Sequence, residues 1–223
     1  MFERRINIFT GHYKSGKTEV AVNFAFRLHE KCQNVAIVDF DIVNPYFRTA
    51  DVRDELEREG IRVIASRYAG TNVDVPALPS EINMVFEDRG LKAVFDVGGD
   101  DLGAKAVSRY RQSFIDDDYE LFFVINIKRP LTDTPEKIAA MIGDIEASSR
   151  LKVTRLVNNT NMLGHTSVRD VLEGQAAVEA VSERLGIPIG FVSIFQENVG
   201  KMEGIKPEKL YMRKFIRLPW DTT

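Results

Sequence analysis

Cysteine is almost absent: Cys32 is the only one in 223 residues. No intrachain disulfide can form, and no thiolate cluster can hold a metal. The two isolated histidines His29 and His165 have no cysteine, histidine or acid at ligand spacing. Long apolar runs are also missing. The longest, Leu121 to Ile125, has the length of a buried strand and falls far short of the ~20 residues that span a bilayer. Excess charge of one sign is lacking too: 30 basic against 33 acidic residues leave a net charge of −3. Such a balance gives no evident nucleic-acid patch. There are no repeats, low-complexity tracts or linkers. No leader precedes the first strand-like run, which reads as a cytoplasmic protein.

The chain has the length of one large domain, residues 1–223. A chain of this size buries roughly 70% of its unfolded surface, enough for a full core. Apolar strand-like runs occur at Ile6–Phe9, Asn34–Phe40, Ile61–Ala65, Leu91–Val97, Glu120–Ile127, Val153–Asn158 and Ile187–Ile194. Helical patterns lie between most of them. Thr134-Pro135-Glu136 is a helix start, with Thr as N-cap and Pro at the first helical position. Leu78-Pro79-Ser80-Glu81 is another start. A helix from about Ser167 to Leu185 stops at Gly186, with Pro188 beyond. This alternation predicts an α/β fold: a three-layer, doubly wound, mostly parallel sheet of about seven strands with helices on both faces.

The most informative stretch is Gly11-His12-Tyr13-Lys14-Ser15-Gly16-Lys17-Thr18. It fits G-x-x-x-x-G-K-S/T, the phosphate-binding loop (P-loop), and sits between a strand and a helix carrying Val20, Phe24 and Leu28 on one stripe. Glycines let backbone N–H groups approach phosphate oxygens at a helix N-terminus. Lys17 is expected at the β- and γ-phosphates and Thr18 on Mg²⁺. Val35 to Asp41 ends a buried strand in two acids. Charge there is costly to bury without a cation. Asp39 is expected to hold a Mg²⁺-bound water and Asp41 to orient or deprotonate the attacking water. Helix capping or solvated loop acids are the bland alternative. Leu91 to Gly99 is a second strand ending in an acid, like a Walker B strand running into D-x-x-G. Asp96 is then a Mg²⁺ ligand, direct or through water, and the Gly99 N–H a γ-phosphate sensor. Gly98 to Gly103 has the wrong spacing for a dinucleotide fingerprint, and its two acids would repel a pyrophosphate.

With these motifs in order, residues from about Ile6 to Ile194 resemble the MinD/ParA branch of the SIMIBI class of P-loop nucleotide-binding proteins. Val38-Asp39-Phe40-Asp41-Ile42 is very like the D-x-D segment of MinD-type ATPases. The resemblance implies ATP and Mg²⁺ as cofactors, Asp41 as the hydrolytic residue and an ATP-dependent homodimer. It also implies that Asn158 or Asn159, at the end of a strand, faces the adenine; an Asn-rich turn is the other reading of that pair. One departure stands out. The family's signature lysine directly follows the first glycine of the loop. That position is His12 here, and the extra lysine is Lys14. The chain ends in a basic, aromatic stretch, Leu210 to Trp220, too short for a stable membrane anchor and read as an edge strand or packed tail.

The function so indicated is a Mg²⁺-dependent ATP-binding protein and slow ATPase, switched by nucleotide and acting on a protein partner the sequence does not name. Alternatives are a GTPase of the metallochaperone type, an ATP-dependent small-molecule synthetase or kinase, and a non-hydrolysing nucleotide sensor. No N-K-x-D guanine motif is present. Several further segments have candidate roles. Tyr46, Phe47 and Arg48 are candidates for a partner surface, with Arg48 also a candidate for phosphoryl charge. The breaker-rich segment Tyr68–Pro79, with Asn72 and Asp74, is a candidate substrate loop. Arg129 is a candidate near the nucleotide. Asp116-Asp117-Asp118 reads as a solvated turn.

Overall fold

The computed structural model describes residues 2–41, 49–65, 81–99, 101–201 and 205–216. Tyr46, Phe47, Arg48, the Tyr68–Pro79 segment and Trp220 lie outside the described residues. Eight strands form one sheet: β1 (Ile6–Thr10), β2 (Val35–Phe40), β3 (Arg62–Ile64), β4 (Lys92–Val97), β5 (Glu120–Ile125), β6 (Arg155–Asn158), β7 (Ile189–Phe195) and β8 (Lys209–Met212). Helices alternate with them: α1 (Lys17–His29), α2 (Arg53–Arg58), α3 (Ile82–Glu87), α4 (Asp101–Ser108), α5 (Arg111–Asp116), α6 (Pro135–Ser149) and α7 (Val168–Leu185).

The strand order is β3-β2-β4-β1-β5-β6-β7-β8, and every neighbouring pair is parallel. The chain leaves β1 toward one edge and returns to its other side at β5. The carboxyl end of β1 is therefore a topological switch point, where open α/β sheets bind ligands. The expected seven strands become eight because Lys209–Met212, the start of the tail, adds a parallel strand beside β7. Its alternating burial, Leu210 and Met212 inward, fixes its register.

Period-two alternation sorts the strand side chains onto two cores. Ile6, Ile8, Ala36, Val38, Phe40, Ala93, Phe95 and Leu156 face the α3–α7 side. Phe9, Val35, Ile37, Val94, Phe122, Val124, Val157 and Phe191 face α1 and α2. Phe9, Phe24, Phe122 and Phe191 interlock there, Phe9 and Phe122 stacked at 4.8 Å. Capping follows the sequence. Thr134 accepts a hydrogen bond from the Lys137 N–H with Pro135 next to it, and Ser167 and Asp170 form a capping box on α7. Gly186 ends α7 in the left-handed conformation. Helix α3 begins at Ile82, just after the expected start.

One reading is corrected. Asp117 is not a solvated turn acid: its side chain is 3% exposed and bonded to Arg5 and Arg89. Arg5 also donates to the Val85 and Leu91 carbonyls at 2.7 and 2.9 Å. The cluster ties the amino-terminal edge of β1 to the ends of α3 and α5. Among the described residues, no helix is long and apolar enough to cross a membrane.

Candidate functional site

Residues 11–16 connect β1 to α1 at the switch point. The loop is wound tightly: Ser15 N–H donates to the His12 carbonyl at 2.9 Å, and Lys14 and Gly16 both have positive φ. Gly16, at φ 85°, sits against Asn159, and a Cβ there would run into the Asn159 amide nitrogen. Gly99, at the end of the β4 strand-turn, lies directly on the Gly11 carbonyl, so a side chain at 99 would collide with loop backbone. The loop is thus seated between the ends of β4 and β6.

Alternation places Asp39 on the same face as Val35 and Ile37, and Asp96 on the same face as Val94. That is the α1 face. Asp39 and Asp96 are direct register partners on β2 and β4. Lys17 and Thr18 open α1 beside them, and all of Lys17, Thr18, Asp39, Asp41 and Asp96 are buried. Lys17 Nζ donates to Asp41 Oδ2 at 2.8 Å. Burial alone pushes the Lys17 ammonium down, but Asp96, Asp41 and Asp39 outweigh it and hold the group above its ordinary value. Burial pushes the Asp96 carboxyl up, partly countered by Lys17, with Asp41 adding to the rise and Thr18 and Thr49 opposing it. The Asp41 N–H donates to Asp39 Oδ1 at 3.2 Å.

Six buried side-chain polar atoms among the described residues have no hydrogen-bond partner. Four are at this place: Thr10 Oγ1, His12 Nδ1, Ser15 Oγ and Asp96 Oδ1. Buried polar atoms are ordinarily satisfied, so each exception needs an explanation. A phosphate chain over the loop and a cation beside Asp96 would satisfy them. No group of three or more His, Cys, Asp or Glu side chains among the described residues is arranged to hold a metal alone. Mg²⁺ takes one or two protein carboxylates and completes its shell with phosphates and water. Thr18, Asp39 and Asp96 fit that donor chemistry.

The two asparagines divide by alternation. Asn158 follows Val157 and points to the α7 side, where its amide donates to the Val171 carbonyl at 3.1 Å and to Gln175 at 3.3 Å. Asn159 turns to the loop side. Its amide donates to the Ser15 carbonyl at 2.7 Å, and its oxygen accepts from Ser193. Asn158 therefore sits in a protein network away from the loop, while Asn159 braces the loop itself. Lys14 is at the exposed apex, its ammonium 5.3 Å from the Tyr13 ring centre, and its carbonyl accepts from Arg129 Nε at 2.9 Å. His12 is partly buried, which lowers its imidazole below the usual value; Arg129 adds to this.

Comparison with solved structures gives matches of low identity over most of this chain. The cell division protein FtsY of Thermotoga maritima matches with TM-score 0.55 and 19% identity, over 85% of this chain and 61% of that one. Chloroplast FtsY of Physcomitrella patens matches with TM-score 0.58 and 16% identity, over 85% and 58%. The signal recognition particle receptor FtsY of Elizabethkingia anophelis, in complex with GDP, matches with TM-score 0.52 and 15% identity, over 87% and 58%. The chain shares the α/β fold of these FtsY structures, a parallel sheet with helices on both faces. FtsY proteins belong to the SIMIBI class, of which the MinD/ParA proteins that the motifs resemble are a related branch. The chain spans about three-fifths of the length of the FtsY structures. No protein-family model matches the sequence, and no curated protein matches it significantly.

Sequence reasoning missed three residues that the fold brings in. Thr49 donates to Asp96 Oδ2 at 3.0 Å. Ser193 secures Asn159. Glu19, in the first turn of α1, accepts from the Phe215 and Ile216 N–H groups at 2.7 and 3.1 Å. Only Glu19 carried a signal, an acid immediately after the lysine-threonine pair.

Proposed function

We propose that the chain binds a Mg²⁺-nucleoside triphosphate on the loop Gly11–Thr18 and hydrolyses it slowly, as a nucleotide-controlled switch. The observation that carries this reading is the concentration of orphaned buried polar atoms around one buried lysine and its carboxylates. Lys17 would exchange its bond to Asp41 for a phosphate oxygen. Asp41, released from that bond, would orient the attacking water and accept its proton. Backbone N–H groups of the loop would stabilise charge on the phosphoryl oxygens. A Mg²⁺ ion held by Thr18 and, directly or through water, by Asp39 and Asp96 would supply further charge neutralisation. Turnover in such sites is slow until a partner completes them.

Within this reading the base is adenine, on the likeness of Val38–Ile42 to the MinD-type D-x-D segment. Guanine is the second reading, because one FtsY neighbour was solved in complex with GDP. The segment Asn159-Thr160-Asn161-Met162 favours adenine, since it lacks the acid of N-K-x-D. An ATP-dependent homodimer acting on a protein partner is part of the proposal. Competition of ATP and GTP against one fluorescent triphosphate decides the base. Single-turnover phosphate release well below one per second without a partner is the expected rate; no binding of either nucleotide refutes the reading. Solution mass of the Asp41→Ala variant with Mg²⁺-ATP against Mg²⁺-ADP tests the dimer.

A further inference from the structure

The turn Thr49–Val52 leads straight into α2. It is fastened to the site at two points, each on a carboxylate assigned above to the cation. The Thr49 hydroxyl donates to Asp96 Oδ2 at 3.0 Å, and the Ala50 N–H donates to Asp39 Oδ2 at 3.3 Å. Thr49 and Asp96 are both fully buried. The hydroxyl holds one oxygen of Asp96, and the other, Oδ1, is the buried atom without a partner. A carboxylate pinned through one oxygen has its rotation fixed, which aims the second.

We propose that Thr49 is a positioning residue. Its hydroxyl presents Asp96 Oδ1, correctly turned, to the cation of the bound nucleotide, and the same bond couples the Thr49–Val52 turn and α2 to occupancy of the site. The inference rests on the nucleotide reading above. Coupling of this kind is reciprocal: a bond that favours the cation is favoured by it, so filling the site holds the turn more firmly. The reach of the device follows from α2. Its Glu55 and Arg58, with Glu59 just beyond, line a groove of about 370 Å³ together with Phe26 of α1 and Arg213 to Ile216 of the tail. One end of this assembly sits on the candidate cation site and the other on an open surface.

The test uses the full chain, a fluorescent nucleoside triphosphate, and Mg²⁺ added after chelation. Wild type, Thr49→Val and Thr49→Ser are compared. Thr49→Val keeps the shape and removes the donor; Thr49→Ser restores it. The expected result is that Thr49→Val binds the probe in chelator within about twofold of wild type. It then needs about tenfold more Mg²⁺ for half-maximal tightening, the effect of one charge-assisted hydrogen bond. Thr49→Ser returns toward wild type. An unchanged Mg²⁺ midpoint in a folded Thr49→Val overturns the proposal. Hydrogen exchange in wild type is a second test that needs no variant. The Ala50 amide is expected to exchange several-fold to about tenfold more slowly once Mg²⁺ joins the bound probe, and unchanged or faster exchange overturns the coupling. A wild type that fails to bind the probe with or without Mg²⁺ instead overturns the nucleotide reading itself.

Discussion

Glu19 offers a quantitative test of how α1 is held. It stands two residues after Lys17, at the start of the helix that follows the loop. Its carboxylate accepts from Phe215 and Ile216 of the tail. Four residues on, Asn23 pairs with both backbone groups of Arg213, donating to its carbonyl at 2.9 Å and accepting from its N–H at 2.8 Å. Phe26 then stacks on Phe215 at 4.6 Å. The stripe Glu19, Asn23 and Phe26 thus grips the tail as an extended segment. Burial raises the Glu19 carboxyl from 4.5 to about 7, against the opposing pull of the Phe215 and Ile216 N–H groups, Lys214 and Asn23. A raised acid keeps its proton longer in the folded chain than in the unfolded one. Its stabilising effect is therefore present below the unfolded value and is lost as pH rises from about 4.5 to about 7. Integration of that shift gives about 2.5 kcal/mol lost between pH 5 and pH 8, as an upper value. Glu19→Gln cannot titrate. It also places an amide N–H₂ toward a backbone donor, so it starts less stable than wild type. The deficit of Glu19→Gln should shrink by up to about 2.5 kcal/mol between pH 5 and pH 8, measured by urea denaturation of both proteins across that range. Two pH–stability curves that run parallel would refute the assignment of a raised carboxyl at this position.

Other expectations follow from single contacts. Asp41→Asn removes the charge that holds Lys17, so triphosphate affinity should stay equal or rise while phosphate release slows by about a hundredfold or more, the scale of a general base; equal turnover would remove Asp41 from the chemistry. Gly99→Ala forces a Cβ onto the Gly11 carbonyl, which should abolish triphosphate binding and lower the melting temperature, and a variant that binds normally would show the loop can move aside. Asn159→Ala leaves the Ser15 carbonyl without its donor, so it should cost about 1–3 kcal/mol in stability by thermal or chemical denaturation and weaken triphosphate binding.

The parts of this structure that were legible in the sequence are those governed by local rules. The strand–loop–helix around Gly11–Thr18 announces itself by spacing. The Thr134 cap follows from a side chain that satisfies an orphaned helix end, and the Gly186 stop from a backbone free to turn left-handed. Strand alternation also contained more than was taken from it. Val157 faces α1, so Asn158 must face α7 and Asn159 the loop. The reading of either asparagine against the base left that distinction unused. What could not be seen depends on distant partners. Asp117 looks like one of three turn acids until Arg5 and Arg89 close on it. The tail from Leu210 was legible as an edge strand or a packed tail, and the edge of β7 decides for a strand at Lys209–Met212. Thr49 acquires a role only when β4 brings Asp96 beside it.

Everything proposed for the site depends on Lys17 and its loop forming a phosphate cradle. The direct measurement is the affinity of wild type and Lys17→Ala for the same nucleoside triphosphate with Mg²⁺, with thermal melting to confirm that both are folded. A charge-assisted hydrogen bond of about 1.5–3 kcal/mol predicts binding weaker by about tenfold to a hundredfold in Lys17→Ala. A folded Lys17→Ala that binds as tightly as wild type, or a wild type that binds no triphosphate, would contradict it.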